Sequence, residues 1–569
     1  MKETNMSVLN QFQIGFWHFF QALIKKILTI FLLFITYSAL AQNSADLILY
    51  NGKVITVDQQ FRIVQAIAIS KDKVLATGSS REILKLKKES TELIDLKGKT
   101  VIPGLIDNHA HFIRAPEHME LRLDGVLSRK QAVQMIQQAV AKAKSGEWVI
   151  TIGGWSRTQF LDDPRAFNLA ELDQISKTVP IVIQEVYLRT FLNSIAIEKL
   201  NLNENTPDPR GGKILKNTAG KLTGEIEGAG GVAFIAEKLP LPNPQEWQEN
   251  VKAYASYLNR LGITAWYDAG GRGIDERHYQ AYQSLVDQGK LTVRAFYTTM
   301  RSPSTPQEMD KTLLEVNLQK PFQGNDYLDN IGWGESVYGP SSTTLLRNDY
   351  KVQEQHMEQV RRLIKAIAAK GLALNAHVEM ENAIDAYLQE YEALNKETPI
   401  KGLRWSFSHV DQITSEQILR MKRLGMSIGL HTRPIIQGEL MQDVHHEHSR
   451  TMPPLKLVQD SGIAWGLGSD ATAVTTANPF FNLDFAITGR MVNGKKVNYQ
   501  SITREEALIA HTRNNAQLLF QENNLGSLQA GKYADLLILN KDYLTVPLNE
   551  IRNLYPVATM VGGKFTFKQ

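Results

Sequence analysis

The sequence predicts a (β/α)8 TIM barrel with a small β-sandwich domain formed by both chain termini, and three observations predict it. Eight strand-like apolar runs alternate with helical stretches through the middle of the chain, the pattern of a parallel βα fold. Polar residues able to carry chemistry fall at the C-terminal ends of those runs, the end at which barrel enzymes place their sites. Short strands of alternating character lie at the two termini and enclose that whole region.

At 569 residues the chain suits one large barrel with an accessory domain. Its composition, 43% hydrophobic and 21% charged, is that of a globular protein. The net charge of +4 is small, and Lys and Arg are scattered, so no nucleic-acid partner is expected. There is no cysteine, which removes disulfides, thiolate metal ligands and a cysteine nucleophile. Export stays compatible with that, because a large core can do without disulfides.

In chain order, residues 1–41 read as a signal peptide: Lys25 and Lys26 precede the apolar run ILTIFLLFITYSAL, and Ala39-Leu40-Ala41 forms the small-x-small cleavage pattern. Cleavage after Ala41 would make the mature chain exported, periplasmic or secreted. A retained anchor is the alternative, since FWHFFQALI upstream brings the run near spanning length. Residues 45–100 are assigned to the N-terminal part of the β-sandwich, with DLILYNGKVITVD and AIAISKDKVLATG as hairpins around Asn-Gly and Lys-Asp-Lys turns. Residues 101–520 form the barrel, with an insertion at about 115–250 too long for one βα connection and expected over the mouth. Residues 521–569, with KYADLLILN and ATMVGGKFTF, return to the β-sandwich.

The eight barrel runs are VIPGLIDNHAHF, GITAWYDAG, LTVRAFYT, YLDNIGWGES, LALNAHVE, RWSFSHVD, MSIGLHT and IAWGLGSDA. Their ends carry His109 and His111, Asp268, Glu335, His377, His409, His431 and Asp470. Residues two apart in a strand share a side, so His109 and His111 can place two imidazoles on one cation. Such nitrogen and oxygen ligands suit Zn2+ and also admit Fe2+, Mn2+ or Ni2+.

The motifs GKTVIPGLIDNHAHF, LNAHVE, FSHVD, GLGSDA, ALIAHTRNNAQLL and GSLQAGKYADLLIL together resemble the amidohydrolase superfamily, in the branch of the N-substituted formamide deformylases. The resemblance implies a divalent metal centre, Zn2+ first among candidates, of one or two ions. It implies metal ligation by His109 and His111 from the first strand, His377 and His409 from the fifth and sixth, and Asp470 from the eighth. It also implies that Asp470 takes a proton from the water that the metal activates, which agrees with general-base chemistry. One departure stands out: relatives with two metals often carry a carboxylated lysine at the end of strand four, and YLDNIGWGESVYG has none. Glu335 lies there instead and is a candidate bridging or second-metal ligand, or a substrate-binding acid.

Around this constellation, Trp155, Arg157 and Tyr187 are candidate substrate-binding residues, with Trp155 in the insertion core and Arg157 in solvent as the plainer alternative. His431 is a candidate oxyanion stabiliser, against a structural role. Glu225 and Glu227 share a strand face as either a pocket pair or two exposed acids, and His445, His446 and His448 read as a solvated loop.

The expected activity is metal-dependent hydrolysis of a non-peptide C–N bond in an amide, formamide or cyclic amide, on a small-molecule substrate. Release of ammonia from a ring amidine is the nearest rival, kept open by Glu379 and Glu381 after His377. An exported non-catalytic binding protein and a metal-dependent phosphotriesterase or lactonase are further readings. No stable membrane partner is expected after signal removal, and a homodimer is admitted.

Overall fold

The computed structural model describes residues 44–118, 120–271 and 273–569. The signal-peptide reading of residues 1–41 lies outside them. Among the described residues, no helix is long and apolar enough to cross a membrane.

Eight parallel strands form one sheet in chain order: β1 (Leu105–Ala110), β2 (Ile263–Asp268), β3 (Arg294–Thr299), β4 (Leu328–Glu335), β5 (Leu374–Val378), β6 (Ser406–His409), β7 (Ser427–His431) and β8 (Trp465–Gly468). Every one falls in a run the sequence marked. Amphipathic helices such as Glu354–Ala369 and Ser415–Leu424 pack their apolar stripes against the outside of these strands. The sheet curls until its first and last strands meet. Asp470 N donates to His109 O at 2.8 Å and His111 N to Ala471 O at 2.8 Å, just beyond the strand ends. Lower down, the Asn515 amide donates to the carbonyls of Ile106 and Leu467 at 2.5 and 2.7 Å, stitching β1 to β8. Asp107 Oδ1 adds a third stitch by accepting from the backbone of Ser469 and of His109, at 3.0 and 3.1 Å.

Two further sheets hold the terminal strands. One contains Ala45–Tyr50, Ala66–Ser70, Lys73–Gly78 and Lys87–Asp95. The other joins Lys53–Ile55, Ile63–Val64 and Thr100–Pro103 to Leu536–Leu539, Pro556–Val561 and Lys564–Lys568. Buried residues of both, among them Leu49, Ile67, Val101, Leu536 and Met560, share one apolar cluster. Arg294, at the foot of β3, ties this unit to the barrel through a bidentate pair with Asp535 at 2.8 and 3.1 Å.

Two local expectations change. Asn51-Gly52 closes no hairpin: Ala45–Tyr50 pairs with 66–70 and 87–95, whereas Lys53–Ile55 pairs with 63–64 and 100–103, so the turn hands the chain from one sheet to the other. The Lys-Asp-Lys segment does close one. The run VIPGLIDNHAHF divides at Gly104, because Ile102 and Pro103 pair with Leu537 and Leu536 while Leu105 pairs with Ile263 on β2.

Between β1 and β2 lies the insertion. Its five-stranded sheet runs in the order 213–216, 222–227, 189–192, 181–185, 149–152, over a core of Leu123, Ile136, Trp155, Phe160, Phe167, Ile183 and Phe191. It rests on the loop that follows β8. Gly154 N donates to Ala473 O at 2.9 Å, and a Cβ on Gly153 would stand 1.9 Å from that same oxygen, so only glycine permits the approach. Arg122, paired with Glu120 and Asp124, donates to Thr472 O at 3.1 Å.

Candidate active site

At the C-terminal end of the barrel, four histidines and two acids converge. Glu335 ends β4 at the centre. Its Oε2 lies 2.9 Å from His377 Nδ1, 3.3 Å from His409 Nε2 and 3.4 Å from His109 Nε2, and its Oε1 lies 3.7 Å from His111 Nε2. Asp470 stands on the other side, with Oδ1 3.2 Å from His111 Nε2 and 3.7 Å from His109 Nε2.

The ring orientations come from the backbone. His111 Nδ1 donates to the Gly270 carbonyl at 2.5 Å, and His377 Nε2 to the Thr343 carbonyl at 3.2 Å, since a carbonyl can only accept. Those bonds turn His111 Nε2 and His377 Nδ1 toward the acids. His409 and Asp470 adopt left-handed backbone conformations, φ 79° and 64°, that non-glycine residues rarely hold. Such strain is found where the surrounding structure fixes a functional side chain, and here the bond from Asp470 N to His109 O contributes to that.

The electrostatics favour added positive charge. Burial works against a proton on His111, yet the hydrogen bond and charge of Asp470, with Glu335, hold its pKa up at about 10. Burial likewise opposes charge on His377, and Glu335 and Glu379 outweigh it, raising that pKa well above the ordinary value. The Glu335 carboxyl is held below its usual range despite burial, chiefly by His377. Burial, aided by the positive charge around them, pushes His109, His409 and His431 down. The upward shifts of His111 and His377 reflect the negative charge that Asp470, Glu335 and Glu379 gather here, which a cation would also meet.

The donor set fits a metal. Both ring nitrogens of His109 are buried and have no hydrogen-bond partner among the described residues, and one ligand atom each from His109, His111 and Glu335, or from Glu335, His377 and His409, can gather within 4.8 Å. Glu335 belongs to both groups. His109, His409, His431 and Asp470 form a further group of the same tightness.

The sequence-predicted site residues divide. His109, His111, Glu335, His377, His409 and Asp470 are brought together. His431 is turned inward: its Nδ1 lies 2.8 Å from His409 Nδ1 and its Nε2 faces the space over Gly429, while one of its ring nitrogens stays within 4.8 Å of ligand atoms of His109, His409 and Asp470. Trp155 is buried in the insertion core with its indole N–H on Gln184 O at 2.7 Å, and Arg157 is held by Glu185 at 2.6 Å. Tyr187, at the turn of the insertion hairpin, comes closer to the centre: it hydrogen-bonds Arg114 and lies within electrostatic reach of His111. Glu225 and Glu227 both pair with Arg189, and His446 and His448 face solvent, while His445 is buried against Leu345 O at 2.8 Å.

Sequence reasoning missed a buried charge array behind the ligands. Arg433 donates to Glu379 at 2.6 Å and to Asp411 at 2.7 Å, and its Nε lies 3.8 Å from Asp470 Oδ2. A signal was present, because Glu379, Asp411 and Arg433 each follow a strand-end histidine by two residues.

A parallel eight-stranded barrel with histidines and acids gathered at its C-terminal end is the architecture of a metal-dependent hydrolase. Residues 92–567 match the Amidohydrolase family, and the chain belongs to it. It is similar to N-substituted formamide deformylase of Arthrobacter pascens, 24% identical over 92% of this chain and 98% of that one. It is also similar to the putative amidohydrolase YtcJ of Bacillus subtilis, 22% identical over 91% and 99%. An uncharacterized metal-dependent hydrolase of Pyrococcus horikoshii shares the fold, with a TM-score of 0.64, 22% identity and coverage of 88% of this chain and 99% of that one. The protein is accordingly a hydrolase of carbon–nitrogen bonds other than peptide bonds.

Proposed function

We propose that the chain hydrolyses the C–N bond of a small amide, formamide or cyclic amide, with water activated at a divalent metal centre held by His109, His111, His377, His409, Glu335 and Asp470. One observation carries the reading: the Glu335 carboxylate has nitrogens of all four histidines within 2.9 to 3.7 Å, with Asp470 closing the other side. Full-length similarity to a formamide deformylase supports the substrate class.

A divalent cation bound here supplies Lewis acidity, lowering the pKa of water toward neutrality and polarising the scissile carbonyl. Asp470 accepts a proton as the water oxygen bonds to the carbonyl carbon, and returns it to the nitrogen as the C–N bond breaks, giving a carboxylic acid and an amine. Glu335 holds the two histidine pairs in register. Arg433 keeps a positive charge beside Asp470. Arg114 and Tyr187, hydrogen-bonded to each other beside His111, form a polar wall for the acyl substituent. The rival release of ammonia from an amidine would draw on Glu379, which is bound by Arg433 through Oε1 while its Oε2 has no partner among the described residues.

The test is metal analysis of the purified chain combined with a panel of N-formyl, N-acyl and cyclic amides, ring amidines, lactones and phosphotriesters. Stoichiometric acid and amine from an amide, lost on chelation and regained with metal, is the expected result. Turnover confined to lactones, phosphotriesters or amidines rejects the substrate class.

Export rests on the sequence pattern alone. Expressed in a cell with a secretion system, the chain should be recovered outside the cytoplasm beginning at Gln42, as mass spectrometry of its N-terminus would read. Residues 27–39 retained in a membrane fraction would refute it.

A further inference from the structure

Below the ligands, the barrel lumen departs from the packed aliphatic filling usual in this architecture. A cavity of about 90 Å3 lies there, lined by Asn108, Asn375, Ser406 and Gly429 beside the apolar Leu374 and Met426. Its polar groups and that volume admit ordered water.

Over Gly429, which lines this cavity, the space has a defined chemistry. A Cβ built on Gly429, in β7, would stand 3.5 Å from His431 Nε2, 3.5 Å from Ser408 Oγ and 3.6 Å from Asn108 Oδ1, so the three atoms face one space over the glycine. His431 and Asn108 are 1% and 2% exposed. Neither His431 Nε2 nor Asn108 Oδ1 has a partner among the described residues. Ser408 Oγ gives its proton to Asn375 Oδ1 at 2.7 Å and keeps its lone pairs free to accept.

The tautomers follow from the ligand layer. A His409 that presents the lone pair of Nε2 beside Glu335 carries its proton on Nδ1. That proton has His431 Nδ1 as acceptor, 2.8 Å away. His431 must then carry its own proton on Nε2, aimed at the space over Gly429. A buried N–H there calls for an acceptor that can itself donate to Ser408 and Asn108. Water meets all three demands, with the two to four polar partners that buried water requires.

We propose that the space over Gly429 binds one ordered water, which accepts from His431 Nε2 and donates to Ser408 Oγ and Asn108 Oδ1. Gly429 and His431 are then positioning residues: the water fixes the His431 tautomer, and His431 turns the Nε2 lone pair of His409 toward the metal. The tautomers and this second step rest on the metal-centre reading above, while the space over Gly429 with its three polar atoms does not.

The backbone at Gly429 is not at positive φ, and its Cβ would meet neighbours only at ordinary contact distance, so Gly429→Ala should fold. Its methyl takes the place of the water, whereas Gly429→Ser offers a hydroxyl in its stead. A high-resolution crystal structure of the wild type should show density within hydrogen-bond distance of all three atoms, absent in the Ala variant. Zinc affinity, measured by competition with a chromogenic chelator, should fall about 10- to 100-fold in Gly429→Ala, as for loss of a partner behind a ligand. It should return to within a few-fold of wild type in Gly429→Ser. A wild-type site without that density overturns the water, whatever the metal does. Unchanged zinc affinity in Gly429→Ala, or a metal-loaded structure with His431 bonded directly to the ion, overturns the positioning role. A wild type that shows the water and binds none of Zn2+, Fe2+, Mn2+ or Ni2+ refutes the metal centre and that role with it.

Discussion

The insertion and the barrel mouth both bury arginine against carboxylate, but they leave different remainders. In the insertion, Glu185 is 1% exposed and accepts from Arg157 Nη2 at 2.6 Å, Arg157 N at 2.8 Å and Ser156 Oγ at 3.2 Å. Arg129 meets Glu171 through two parallel bonds of 2.7 and 2.5 Å. At the barrel mouth, Arg433 divides itself between Glu379 and Asp411, while Arg433 Nε, Glu379 Oε2 and both ring nitrogens of His109 keep no partner among the described residues. Closed pairs hold a fold together. An array with donors and acceptors left over is built around something else, because buried polar groups are seldom left unsatisfied.

Four variants test that contrast, ordered by their expected effect on turnover. Removing His109 and His111 together as alanines should abolish most bound metal and nearly all activity, since two neutral nitrogen ligands disappear at once. Elemental analysis beside a turnover assay reads both, and a double variant with full metal content would mean that the mouth is as closed as the insertion.

Asp470→Asn keeps the size of the side chain and removes the proton acceptor. Turnover should fall by about 10^2- to 10^4-fold in a folded protein. Metal content measured on the same sample separates lost ligation from lost proton transfer, and near-normal turnover would reduce Asp470 to a turn residue.

Arg433→Met leaves Glu379 and Asp411 buried without their counter-charge, so thermodynamic stability should drop by about 3–5 kcal/mol. Turnover should drop by about 10- to 100-fold, because the charge beside Asp470 is gone as well. Urea denaturation and steady-state kinetics give the two numbers. Loss of stability with intact kinetics would place Arg433 with the insertion's structural pairs.

Arg157→Met is the control for the comparison. Glu185 retains its bonds from Arg157 N and Ser156 Oγ, so the loss of stability should be about 1–3 kcal/mol. Zinc affinity and turnover on a small amide should stay at wild-type values, and a large fall in kcat would return Arg157 to the substrate site.

The sequence by itself determined the barrel and the strand-end residues that cluster at its mouth, because both are written in local pattern. A strand with apolar sides and a polar last residue looks the same in one dimension as in three, and chain order in a parallel barrel is also spatial order. His109, His111, Glu335, His377, His409 and Asp470 are therefore visible as strand-end residues, and the barrel has only to bring those ends together. Tertiary structure alone decided matters that depend on which distant partner a residue meets. Gly104 divides one apolar run because Ile102 pairs with Leu537, more than four hundred positions away. Trp155 is drawn into the insertion core by Phe160 and Phe167. Arg433 finds Glu379 and Asp411 only because β5, β6 and β7 lie side by side, which brings together the segments that follow their last residues. His431 looks from the sequence like another residue of the mouth, but its ring packs against His409 and its free nitrogen points into the lumen. The direction of a side chain at a strand end is set by the residues across the barrel, and a linear pattern carries no trace of them.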